Sequence, residues 1–224
     1  MLAALFCGLG LPTPHAREPL FASTVSAVER ESRGKDGGAA AEITELRIPL
    51  VAGWNRISWN VQLPRSQLLS EGQDKALLDA VVELRGFKPG KSVAGTISTD
   101  LMKAVDGSQG YKLKMANGPH ELVLSGPPAD VCTTIPLTKG VAWIPYLLQD
   151  DYAHISGTVS PLRRTEGGWA TGDQIKDETS GTFTTYYAGH GWWGTLETLR
   201  AGRMYVVTSA EEGILTYAGK GEWV

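Results

Sequence analysis

Two stretches of the chain alternate apolar and polar positions with a period of two. Ile57, Trp59 and Val61 are separated by Ser58 and Asn60, and Tyr111, Leu113 and Met115 by Lys112 and Lys114. Successive side chains of an extended strand point to opposite faces, so both segments read as half-buried strands. Gly53 supplies a turn before the first. Asn117-Gly118 reads as a hairpin turn into a further strand at 122–124. Between these strands Ala76, Leu77, Ala80, Val81 and Leu84 recur at helical spacing, which predicts one amphipathic helix over residues 74–84. Upstream, residues 22–33 read as a second short helix with Ser23 as its N-cap, and residues 34–41 (GKDGGAAA) as a flexible linker. Residues 152–162 fit neither period.

The same pattern occurs twice. Ile48-Pro49-Leu50, Gly53, Ile57 and Trp59 fall without a gap on Ile135-Pro136-Leu137, Gly140, Ile144 and Tyr146. Far downstream, Tyr111 to Ala116 pairs with Tyr205 to Ala210, and Leu122 to Gly126 answers the run ending at Gly219 with a one-residue slip. Similarity at both ends in the same order is what a duplication leaves. The expected fold class is therefore β-rich α+β: two tandem small antiparallel-sheet repeats, a short helix in the first, and an N-terminal apolar arm plus helix. The expected divisions are residues 1–45 (arm, helix, linker), 46–128 (first repeat) and 132–221 (second repeat), joined by a short Pro-containing link.

Four segments also carry a family resemblance. Gly53-Trp54-Asn55-Arg56-Ile57-Ser58-Trp59-Asn60-Val61 resembles the opening of a repeat written GWNWISxNV. Gly172 to Thr179 is similar to its middle segment GDxIKSQT, Tyr186 to Leu196 to YYxGxGWFGxL, and Leu199 to Tyr205 to LxPGxMY. Such repeats recur in secreted and surface-associated proteins of marine bacteria and microalgae, usually without an assigned activity. The first copy lacks the middle segment and reads GFKPGKSVAGTISTD there. The resemblance implies a module and not a reaction, and it carries over no catalytic residue.

Composition narrows the function classes further. The 224 residues include 27 Gly and 12 Pro, with a net charge of −3 and no basic stripe, which weighs against nucleic acid as a partner. The two cysteines, Cys7 and Cys132, form no CxxC motif and no metal-ligand pair; they read as separate thiols or as a single disulfide. His15, His120, His154 and His190 are scattered. His190 with Asp173 is the best candidate for an acid/base pair, against the plainer reading of a loop histidine. Asp150-Asp151 and Asp173 with Asp177-Glu178 lack the alternating oxygen ligands of a calcium loop. Gly86 to Ser92 has the wrong glycine spacing for a phosphate loop and reads as a turn. The expectation is a protein that is not an enzyme, with no cofactor, no catalytic residue and no metal.

Two features point to a partner. Leu2, Leu5, Phe6, Leu9 and Leu11 make an apolar run about half the ~20 residues that a membrane-spanning helix needs. It reads as an arm docking into a partner or a membrane surface, or as the core of a secretory signal ending near Ala16. The second feature is the aromatic set Trp169, Phe183, Tyr186, Tyr187, Trp192 and Trp193. Neighbours in a strand face opposite ways, so one ring of each adjacent pair is available to a surface. Tyr187, Trp192, Trp193 and Trp169 are the candidate binding surface, the alternative being core or inter-repeat packing. The leading expectation is a structural or accessory scaffold that binds protein and is held in a larger, extracytoplasmic, membrane-associated assembly by its arm. The alternative is a secreted or cell-surface module that binds glycan or matrix through exposed aromatics.

Overall fold

A computed structural model describes residues 24–27, 43–63, 68–69, 73–88, 91–95, 105–150, 153–157 and 160–218. The apolar arm with Leu2, Leu5, Phe6, Leu9 and Leu11, the 34–41 linker and Cys7 lie outside them. The chain is β-rich, with two tandem antiparallel-sheet repeats. β1 (Thr24–Ala27) precedes them, and the first holds β2 (Thr44–Leu50), β3 (Gly53–Ile57), helix α1 (Lys75–Ala80), β4 (Val81–Lys88), β5 (Lys91–Gly95), β6 (Tyr111–Met115) and β7 (His120–Gly126). The second begins with β8 (Ile135–Leu137), β9 (Gly140–Ile144), β10 (Ala153–His154), β11 (Leu162–Arg164) and β12 (Gln174–Lys176). It continues with β13 (Phe183–Tyr187), β14 (Gly191–Gly194), β15 (Thr198–Leu199), β16 (Tyr205–Ser209) and β17 (Gly213–Tyr217).

The two repeats share one pairing scheme. In each, the first strand pairs with the last (β2 with β7, β8 with β17) and the second with the last but one (β3 with β6, β9 with β16). The registers correspond residue by residue: Ile57 opposes Tyr111 as Ile144 opposes Tyr205, and Gly53 opposes Met115 as Gly140 opposes Ser209. Gly53 and Gly140 turn the chain between those strands with φ of 88° and 104°, a region that a Cβ makes costly. A third strand then joins on the far side of β6 or β16: β4 brings Leu84 opposite Leu113, and β12 brings Ile175 opposite Val207. The first repeat therefore fills by other residues the place that the Gly172–Thr179 segment takes in the second.

A buried tyrosine recurs at the heart of each repeat. The Tyr111 hydroxyl accepts from the Asp106 amide at 2.8 Å, and the Tyr205 hydroxyl from the Arg200 amide at 2.7 Å, each five residues upstream. Burial pushes both phenols well above their ordinary value, so they stay neutral donors and acceptors. Each ring meets the aromatic that ends the second strand's run. Trp59 stacks on Tyr111 at 5.1 Å between centroids, and Tyr146 meets Tyr205 edge-on at 6.4 Å.

The repeats are not independent. Ser58 N donates to Gly202 O at 3.1 Å, Ser58 Oγ donates to Arg203 O at 2.5 Å, and Tyr146 N donates to Ser58 Oγ at 3.0 Å. From the other side Gly110 N donates to Trp143 O at 3.1 Å. Their buried apolar side chains form a single cluster, from Leu46 in the first repeat to Tyr217 in the second.

Three local expectations are corrected. Residues 24–27 are strand, not helix: Thr24 and Val25 are β-branched, and the open edge of β2 offers them a partner. The 74–84 helix stops at Ala80. Asp74 caps it, its carboxylate accepting from Ala76 N at 3.0 Å, but Val81 and Val82 turn the chain into β4. A six-residue helix is marginal alone, so pairing with β6 prevails. Asn117-Gly118 is no hairpin, because β6 pairs with β3 and β4 while β7 crosses to β2. The bond Gly118-Pro119 is cis, and a Cβ on Gly118 would sit 2.9 Å from Ala52 N.

A Cβ on Gly110 would lie 2.2 Å from Met204 Cγ and 3.1 Å from Ile144 O, across the inter-repeat seam. Gly110→Ala is expected to lower the stability of the whole chain by about 1–3 kcal/mol. Denaturant unfolding is expected to stay a single transition for both repeats, and two separate midpoints in the wild type would contradict the shared core.

Candidate functional site

The second repeat contributes a five-stranded sheet in the order β14-β13-β12-β16-β9. Its inner face carries Trp192, Thr184, Ile175, Val207 and Ile144, all buried. Residues directly opposite in antiparallel strands share a face, so the registers define the outer one. Trp193, Thr185, Gln174, Thr208 and Val141 form one row across it, and Phe183, Lys176, Val206 and Trp143 the next. Tyr187 extends the β13 column.

The candidate aromatics divide between the two faces. Trp193 is 61% exposed and Tyr187 45%, and Phe183, which sequence reasoning had not placed on the surface, is 42% exposed. The i, i+2, i+4 spacing of Phe183, Thr185 and Tyr187 is the signal that would have found it. Trp192 is corrected to a core residue at 2% exposure, meeting Trp169 edge-on at 4.8 Å and Tyr186 at 5.4 Å. Trp169 is half-buried, with the Arg164 guanidinium 5.9 Å from its ring centroid. Trp193 is held in place, because its Nε1 donates to His190 O at 3.1 Å.

Asp173 and His190 do not form an acid/base pair. Asp173 is wholly buried, and its carboxylate accepts from Arg164 Nη1 at 3.0 Å, Ala170 N at 2.9 Å and Ala210 N at 2.8 Å. Arg164, a residue that no sequence pattern singled out, also donates to Ser209 Oγ and to the carbonyls of Glu211, Glu212 and Glu166. The pair is a structural rivet joining β11, the turn before β12 and the β16–β17 turn. His190 is exposed in the β13–β14 turn, where its amide donates to Tyr187 O.

The second acidic pair organises the β12–β13 turn. Asp177 accepts from Thr179 N at 2.7 Å, Ser180 Oγ at 3.0 Å and Arg203 Nη1 at 2.9 Å. Glu178 reaches to the first repeat and meets Lys112 Nζ at 2.7 Å and Arg56 Nε at 2.9 Å. Burial raises the Glu178 pKa, but bonds from Lys112 and Arg56 outweigh it and hold the carboxyl below its ordinary value of 4.5.

Elsewhere, a surface cavity of about 540 Å³ opens beside Trp59, Val61, Leu68, Val105 and Leu147. Acids at its rim are engaged in turns: Asp106 accepts from Ser108 N and Oγ, and Asp130 from Cys132 N. Cys132 is exposed. Among the described residues no group of three or more His, Cys, Asp or Glu comes together, and no helix is long and apolar enough to cross a membrane.

Asp173→Ala would leave the Arg164 charge buried and unpaired, and is expected to destabilise the protein by about 3–5 kcal/mol in equilibrium unfolding. Glu178 acts through pH. Its folded pKa is depressed, so its stabilisation is present above the unfolded value and disappears as pH falls through the folded one. Glu178→Gln is expected to remove that share of the acid dependence, on the order of 1 kcal/mol, in unfolding measured from neutral pH to below 4.5. Comparison with family models, curated proteins and solved structures gave no match to this chain.

Proposed function

We propose that this protein is a non-catalytic scaffold that holds a macromolecular partner on the outer face of its second-repeat sheet. The observation that carries the reading is the exposure of Trp193, Tyr187 and Phe183 together on one rigid face. Apolar rings grouped on a surface are costly unless something covers them, and Trp and Tyr give large contact area for little lost side-chain entropy. The sheet fixes the backbone beneath them, and the bond from Trp193 to His190 O fixes one ring in advance, which lowers the ordering cost of binding.

In the same reading, the segment with Leu2, Leu5, Phe6, Leu9 and Leu11 attaches the scaffold to a larger extracytoplasmic or membrane-associated assembly. The carboxylates best placed for chemistry favour a non-catalytic role, since Asp173 and Asp177 are spent on Arg164 and Arg203.

The test compares wild type with the double variant Tyr187→Ala/Trp193→Ala, each immobilised and exposed to native extract. Both residues lie on the surface outside the core, so the variant is expected to unfold within about 1 kcal/mol of wild type. It is expected to lose the macromolecule that the wild type captures. Capture of the same material by the folded variant would end the proposal.

A further inference from the structure

The aromatic face of the second sheet does not stop at β9. Trp143, at the end of the Phe183–Lys176–Val206 row, lies 5.8 Å from the ring of Phe87 on β4, and Lys112 Nζ on β6 sits 4.5 Å from its ring centroid. Phe87 and Lys112 belong to the outer face of the sheet β3-β6-β4-β5, so the outer surfaces of the two repeats adjoin. Glu178 closes the join by bonding Arg56 and Lys112 from the β12–β13 turn.

The first repeat's part of this surface differs in chemistry. Arg56, Lys112 and Arg85 oppose one another across β3, β6 and β4 and form one row. Trp54, Lys114 and Glu83 form the next. The Trp54 ring has the Arg85 guanidinium 4.8 Å and Lys114 Nζ 5.6 Å from its centroid. Counting Lys176 of the second sheet, five cations (Arg56, Arg85, Lys112, Lys114, Lys176) stand on these rows against two carboxylates, Glu83 and Glu178. The chain as a whole carries a net charge of −3, so the surplus is a local property of this face.

Resting on the scaffold reading above, we propose that the partner is a linear polyuronate, a polysaccharide with one carboxylate per sugar ring, laid across both outer faces. Each feature answers one part of such a polymer. Trp193, Tyr187 and Phe183 offer flat apolar surface to the C–H faces of pyranose rings. Gln174 and Thr185, joined at 3.4 Å, and Thr208 offer hydrogen-bonding groups to sugar hydroxyls between the aromatic columns. The row Arg56–Lys112–Arg85 sets cations apart by the strand spacing of about 4.8 Å; they are paired with Glu178 and Glu83, and Lys114 and Lys176 beside them bring the surplus positive charge. That spacing is close to the advance per residue of an extended pyranose chain. A small surplus of cations suits a polymer with one charge per residue better than the denser charge of a nucleic acid backbone.

The experiment is affinity electrophoresis of the full chain in gels containing alginate, hydroxyethyl cellulose or carrageenan, with oligothymidylate binding measured in parallel. Wild type is expected to be retarded most by alginate. Arg85→Gln/Lys114→Gln, at an exposed and a half-buried position, is expected to weaken that retardation by about tenfold in apparent affinity, and Tyr187→Ala/Trp193→Ala by at least as much. Unchanged mobility in alginate, or an unaltered charge variant, would overturn the proposal. So would tighter binding to carrageenan or oligothymidylate. Retention by hydroxyethyl cellulose alone, lost in the aromatic variant, would remove the acidic ligand and leave the scaffold reading standing. The scaffold reading fails separately, if the aromatic variant still captures the native partner.

Discussion

The fold depends on the seam at Ser58. That serine directly follows β3 in the first repeat, where its amide donates to Gly202 O and its hydroxyl bridges Arg203 O and Tyr146 N of the second. Gly110 N, bonded to Trp143 O, closes the same seam from the opposite direction. Buried backbone groups must find partners, and here each repeat supplies partners that the other lacks. The stacked pair Trp59–Tyr111 and the edge-on pair Tyr146–Tyr205 lie beneath this seam, in one continuous core. Neither half could be lifted away without exposing wide rings and unpaired amides together.

That constraint determines which surfaces remain for a partner. The inner faces of both large sheets are committed to the shared core, so among the described residues the large exposed rings lie on the outer faces. Two ion pairs within the second repeat are likewise committed: Arg164 with Asp173 and Arg203 with Asp177 fix the turns that position β12 and β16. Glu178 does the reverse and reaches outward to Arg56 and Lys112, so the outer faces meet as one surface. The aromatic rows of one repeat and the cation rows of the other are thereby held in a fixed relation.

The strands were legible where period-two alternation was clean. β6 lies where Tyr111, Leu113 and Met115 placed it. The strand read from Ile57, Trp59 and Val61 is instead β3, which spans Gly53–Ile57 and ends where that alternation begins, because Ser58 bonds to Gly202 and Arg203 of the second repeat. The correspondence of the repeats extends to the register of individual pairs. Legibility failed where a local preference competed with a distant partner. Ala76 to Leu84 has helical spacing, yet β6 draws Val81 onward into the sheet, and residues 24–27 join β2 for the same reason. In the candidate site, alternation separated Trp192 from Trp193 and Tyr186 from Tyr187 in principle. It could not say which of each pair faced inward.

The sequence by itself determined the number of repeats, their strand character and the presence of rings on both faces of β13 and β14, because these follow from local periodicity and from similarity along the chain. Only the tertiary structure decided that Trp192 is core and Trp193 surface, that Arg164 serves Asp173, and that Glu178 bridges to the first repeat. Those outcomes depend on contacts between residues far apart in the chain, such as Glu178 with Arg56 and Lys112. The geometry of such contacts is set by how one sheet packs on another, and no local pattern encodes it.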